Sequence, residues 1–142
     1  LDTFNNEILA HSATSTKGSN KPYFHCLDQL KRLMDKREEQ TSQVVFHTDQ
    51  GAVYSSQAFY QAHNHYNILR SMSRVGTPTD NPIIEALNGW IKEELVLDFD
   101  LAHAKDVPAL LDMYVDFFNN RRPAAALGYK SPVQYRTELG FC

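Results

Sequence analysis

Two carboxylates, Asp49 and Glu85, stand where side-chain chemistry could be done. Asp49 follows the apolar run Val44-Val45-Phe46 and precedes Gln50-Gly51. A short apolar run bounded by turn residues reads as a buried strand, so the carboxylate sits where that strand ends. Glu85 comes thirty-five intervening residues later, 50 through 84. It shares a helix face with Asn88, Gly89 and Lys92, at steps of three, four and seven. It lies near the helix N-terminus, where the helix dipole favours the ionised form. Each acid also has a plainer use. An Asp followed by Gln-Gly is a common turn former, and an acid on a polar helix face is usually just solvated. His47, His63 and His65 raise zinc chemistry, but no Cys pair at ligand spacing accompanies them. The residue types alone leave open whether Asp49 and Glu85 do chemistry or shape the surface.

The elements that would carry them can be read along the chain. Residues Glu7 to Thr14 suggest a half-buried strand, and Lys17-Gly18-Ser19-Asn20 a turn. Pro22 opens a helix to about Glu39, with Phe24, Leu27, Leu30 and Met34 at helical spacing and a charged outer face. The strand before Asp49 follows, then a helix from about Ser56 to Tyr66 and a strand over Asn67 to Met72. Ser73 to Asp80, with Gly76 and Pro78, reads as a mobile loop. Asn81 caps a helix that begins at Pro82 and buries Ile83, Ile84, Leu87, Trp90, Ile91 and Leu95. Val107, Leu110, Leu111, Tyr114, Val115 and Phe118 make a further helix. Ser131-Pro132-Val133-Gln134 starts a short last helix through a capping box. Strands alternating with helices argue an α/β fold in one domain, residues 1–142, with a C-terminal helical tail at about 103–139.

Three blocks of letters are more specific than any spacing. "HTDQGAVYSSQAF", "SMSRVGTPTDNPIIEALNGWIKEEL" and "FFNNRRPAAALGYKSPVQY" occur in that order. Together they resemble the catalytic core of insertion-sequence transposases in the retroviral-integrase superfamily, most nearly the OrfB-type enzymes of the insertion-sequence-three family. The resemblance implies an RNase H-like, three-layer fold. It implies that Asp49 is the second catalytic acid and Glu85 the third. Both would be ligands of Mg2+ or Mn2+ in metal-dependent DNA cleavage and strand transfer. Lys92 matches a position whose side chain faces DNA. Arg74, with Arg70, and the pair Arg121-Arg122 are further candidates for phosphate contacts. The family's first acid lies on a strand upstream of the letters "LDTFNNEILAHS", which resemble the segment that follows it. Asp2 then matches a turn position. The expectation is a core incomplete at its N-terminus, without the first central strand, inactive alone and weak in metal binding. The strand bearing Asp49 would present an open edge, and a homo-oligomer could cover it. Thr48, Gln50, Phe118 and Ala124 depart from the family's usual Ser, Arg, Tyr and His.

Composition bounds the partners. Fourteen Lys and Arg against seventeen Asp and Glu give a formal charge of −3, so contacts with DNA must come from local patches. No apolar run is long enough to span a membrane, and no signal-peptide pattern opens the chain. Cys26 and Cys142 form no disulfide framework, which suggests a reducing, cytoplasmic setting, on the nucleoid when DNA is bound. Two other readings stay open: a competent enzyme in which Asp2, Glu7 or a partner chain supplies the missing acid, and a non-catalytic DNA-binding or oligomerisation module.

Overall fold

In a computed structural model of the chain, residues 1–36, 43–49, 51–63, 68–74 and 82–141 are described. They form, in order, α1 (Lys21–Asp35), β1 (Val44–Thr48), α2 (Gln57–Gln61), β2 (Ile68–Met72), α3 (Pro82–Leu97), α4 (Val107–Asn120) and α5 (Pro132–Glu138). Single 3-10 turns occupy Leu101–His103 and Ala125–Leu127. The chain divides into two compact units, Thr14–Ala86, and Leu1–Ala13 with Leu87–Cys142. The expected Asn81 cap, the loop after Arg74, the ends of the first two helices, His65 and Gln50 lie outside the described residues.

In the first unit, β1 and β2 pair in parallel, in register from Val44 opposite Ile68 to Thr48 opposite Met72. Parallel neighbours need a crossover, and α2 lies within it. Five residues are too few for a helix to hold by itself. Two features fix α2. Ser56 caps it by accepting the Phe59 amide, and Phe59, 1% exposed, anchors it. The rings of Phe24, Phe46, Tyr54 and His63 lie 5.0–6.3 Å from that of Phe59. This aromatic hub joins α1, β1 and α2. Burial of such a ring is worth about 2–3 kcal/mol.

The reading of β1 as a buried strand needs correction. Val45 is 60% exposed, as is about half of its register partner Leu69. Only the alternate residues Val44, Phe46 and Thr48 turn inward, as the two-residue period of a strand requires.

In the second unit the core is Leu87 and Leu95 of α3 against Tyr114 and Phe118 of α4. The helical stripe expected on α3 is narrower than its apolar letters. Ile84 and Ile91 are half-buried, whereas Ile83 and Trp90 are exposed. Ser131 caps α5 by accepting the Gln134 amide.

The half-buried strand expected over Glu7 to Thr14 is absent. These residues form no ladder. Instead the side chain of Asn119 takes both backbone groups of Ile8. Its Oδ1 accepts the Ile8 amide at 2.9 Å, and its Nδ2 donates to the Ile8 carbonyl at 2.9 Å. A side-chain amide here does the work of a neighbouring strand. Asn5 and Glu7 extend the attachment, Asn5 to the Pro132 carbonyl and Glu7 to Arg136 at 3.0 Å.

Candidate metal and nucleic-acid site

Asp49 is the residue next after β1, and the strand ends beneath it are held firmly. Thr48 is buried, and its carbonyl accepts the Ser73 amide at 2.9 Å, one step beyond the named pairing. The His47 ring lies between two hydroxyls of the neighbouring strand and its extension, Ser71 Oγ at 2.9 Å from Nδ1 and Ser73 Oγ at 3.0 Å from Nε2. With both strand ends tied, the backbone at Asp49 has a fixed origin.

The carboxylate itself is exposed. Its Oδ1 accepts the Gly51 amide at 2.8 Å, and that is its one hydrogen bond among the described residues. The Gly51 carbonyl in turn accepts the Ser55 amide at 3.1 Å, which ties the turn to the cap of α2. Tyr54 borders this turn. Burial, chiefly, pushes its phenol up to about 12, with Tyr23, Asp49 and Cys26 adding to the rise. Tyr54 is therefore a neutral wall at physiological pH rather than a proton carrier.

Glu85 lies in the first turn of α3 and is exposed, off the buried stripe as expected. Asn88, Gly89 and Lys92 share its exposure. Both acids belong to unit Thr14–Ala86, one from the end of β1 and one from the start of α3. An exposed carboxylate with one oxygen held by an amide, and the other without a hydrogen bond among the described residues, suits a hard divalent cation in donor type. No cluster of three His, Cys, Asp or Glu side chains that could hold a metal occurs among the described residues. Of the histidines raised for zinc, His47 is engaged by serines and buried His63 donates from Nδ1 to the Phe59 carbonyl at 2.6 Å.

The basic candidates fall into different settings. Lys92 is exposed and has no ion-pair partner among the described residues. Arg74 is exposed. Arg121 pairs with Asp116 at 2.8 Å on the surface and lies over the Phe117 ring. Arg122 is engaged inside its unit. Its Nε reaches both Glu94 oxygens at 2.7 and 2.9 Å, and its guanidinium stacks on Phe118. Tyr114 donates to the same Glu94 at 2.8 Å, and burial followed by that bond raises its pKa. Sequence reasoning did not find this Tyr114–Glu94–Arg122 group. The signal was available: Glu94 follows Leu87 by seven and precedes Leu95, an acid beside the buried stripe. The turn expected of Asp49 followed by Gln-Gly is closed by the side chain, through the Gly51 amide bond to Asp49 Oδ1.

The two other acids weighed as substitutes are engaged locally. Asp2 Oδ1 accepts the Phe4 amide at 2.9 Å, the turn role its letters suggest, and Glu7 is paired with Arg136.

Parallel strands joined through a helix match the fold of integrase catalytic cores, which is RNase H-like. The catalytic core domain of BIV integrase superposes with a TM-score of 0.59 at 14% identity, over 85% of this chain and 74% of that one. A chain of the simian T-cell lymphotropic virus intasome in complex with PP2A regulatory subunit B56 gamma superposes with a TM-score of 0.66 at 21% identity, over 87% of this chain and 42% of that one. Residues 1–78 match the Integrase core domain family, and residues 62–132 match a second family of the same description. The chain belongs to the Integrase core domain family. Among its curated relatives, the transposase for insertion sequence element IS904 of Lactococcus lactis is 29% identical over 136 residues, 95% of this chain and 52% of that protein. The chain spans about half the length of the curated relatives that match nearly all of it.

Proposed function

We propose that these residues form the catalytic core of an insertion-sequence transposase of the insertion-sequence-three type, which cuts DNA at transposon ends and joins it to a target. The observation that carries the reading is Asp49: a solvent-facing carboxylate, fixed at the end of a parallel strand, in a chain of the integrase core family. Asp49 and Glu85 would hold Mg2+ or Mn2+. When bound, such ions stabilise the entering and leaving oxygens of an in-line displacement at phosphorus. Asp49 contributes a carboxylate oriented through Gly51, and Glu85 contributes one mounted on the first turn of α3. Lys92, Arg121 and Arg74 are the proposed phosphate contacts. Arg122, tied to Glu94, serves the fold instead. The protein would act in the cytoplasm, on the nucleoid when bound to DNA, as a homo-oligomer.

The resemblance assigns the family's first acid to a strand upstream of the segment that the letters LDTFNNEILAHS resemble. The test is therefore a plasmid-nicking assay with Mg2+ or Mn2+ on the chain alone and on the chain preceded by a family strand bearing that Asp. The chain alone is expected to be silent and the extended chain active. Asp49→Asn or Glu85→Gln in the extended chain should each slow nicking at least about a thousandfold, equivalent to about 4 kcal/mol of transition-state stabilisation. Nicking that survives either substitution would overturn the assignment.

A further inference from the structure

Gly51 has a backbone that any residue could adopt, since its φ lies outside the left-handed region that Gly18, Gly128 and Gly140 occupy. Its lack of a side chain has another consequence. A Cβ built there would stand 2.9 Å from Asp49 Oδ1, 3.4 Å from Tyr54 Cδ2 and 3.8 Å from Asp49 Cγ. The first distance is closer than real Cβ contacts come, and two of the three atoms belong to the Asp49 carboxylate. The Gly51 amide, meanwhile, donates to that same Oδ1 at 2.8 Å. The Ser55 amide holds the Gly51 carbonyl, and the Tyr54 ring, packed against Phe59 and Tyr23, closes the other side.

We infer that Gly51 is a positioning residue for Asp49: it is glycine so that the carboxylate can seat against its amide, with Oδ1 fixed. This rests on the proposed function for its catalytic meaning, but the placement itself is independent of metal. An Ala at 51 keeps the N–H and the permitted φ. It removes only the space that Oδ1 occupies. The flexible member of the contact is the Asp49 side chain, so Gly51→Ala should turn the carboxylate away rather than unfold the turn. Rotating the carboxylate changes which oxygen faces a cation, much as loss of an outer partner weakens metal sites about ten- to hundredfold.

The sign of the stability change discriminates this role from a merely structural one. At an unstrained position Gly→Ala normally stabilises, by restricting the unfolded chain. Here Gly51→Ala should lower the melting temperature while Asp49 is present. In an Asp49→Ala background, where the nearest remaining atom is Tyr54 Cδ2, it should leave the temperature unchanged or raise it.

The experiment uses the full chain without metal at one fixed pH. It compares the melting temperatures of the four variants of that cycle, the 13Cγ shift of Asp49 and the amide proton shift of residue 51. Mn2+ is then titrated into the wild type and Gly51→Ala. The expected result is a reversal of sign in the cycle, displaced Asp49 13Cγ and residue 51 amide resonances, and Mn2+ affinity about ten- to hundredfold weaker in the variant. Equal stability changes in both backgrounds with an unmoved 13Cγ would overturn the inference. Displaced resonances with the sign reversal, but no Mn2+ effect at Asp49 in the wild type, would uphold the seating of the carboxylate and defeat the metal reading.

Discussion

At the scale of single residues, two constrained polar groups, His63 and Glu94, have consequences that can be measured. His63 is 4% exposed, with Nδ1 donating to Phe59 and Nε2 buried without a partner among the described residues. Burial holds its pKa below the ordinary value, and the nearby charges of Arg70 and Lys31 push the same way. The unfolded chain, with a His pKa near about 6.5, therefore takes up the proton first. Stability from neutral His63 is complete above that value and is lost as pH falls from it toward the folded pKa. Urea midpoints should drop between pH 7.5 and pH 5, and His63→Leu should flatten that part of the profile. An unchanged slope in His63→Leu would assign the loss to other groups. Glu94 is the second case. Its carboxylate serves Arg122 and Tyr114, and the two ion-pair side chains are only 20% and 17% exposed. Glu94→Ala strands a guanidinium and a phenol, at a cost of about 2–4 kcal/mol, slightly below that for fully buried pairs. Chemical denaturation measures it, and a loss under about 1 kcal/mol would show that solvent already screens the pair.

At the scale of elements, Asn119 makes a testable substitute for a strand neighbour. Asn119→Ala removes both bonds to Ile8 and should cost about 1–3 kcal/mol, with faster hydrogen exchange at the Ile8 amide. Asn119→Asp keeps the acceptor but sets a carboxylate against the Ile8 carbonyl, so it should cost at least as much. Unchanged exchange at Ile8 in both variants would show that the segment is held by its apolar contacts alone. This element also marks the limit of what the letters carry. The semi-apolar run from Glu7 says that one face is covered, which is correct, but not what satisfies the backbone. The long helices α3 and α4 were legible because apolar residues recur at helical spacing along them; Pro82 marks the start of α3, and Ser131 caps the short α5 as capping chemistry predicts. β1 was overread because three adjacent apolar letters do not reveal which of them face water. Asp49 and Glu85 stood out through their motif blocks. The commitment of Arg122 did not, because it depends on how α3 packs on α4.

At the scale of the whole molecule, the charge of −3 and the scattered cations predict weak, unspecific DNA binding. Lys92→Ala and Arg121→Ala should each reduce the salt slope of DNA binding by about one, whereas Arg122→Ala should lower stability and leave the slope nearly unchanged. An equal slope change for Arg122 would show that its pair with Glu94 opens on DNA. Metal binding by these residues alone should be millimolar or weaker, about 4 kcal/mol, because two acids from separate elements leave a two-ion site half built. The most direct test of the central claim is a Mn2+ titration followed by amide NMR, since paramagnetic broadening maps the ion without needing turnover. The account predicts that broadening begins together around Asp49–Gly51 and the first turn of α3 at Glu85, and that Asp49→Asn or Glu85→Gln removes it from both places. Broadening centred elsewhere, or at one acid with no response to loss of the other, would contradict the assignment of Asp49 and Glu85 to a shared metal site.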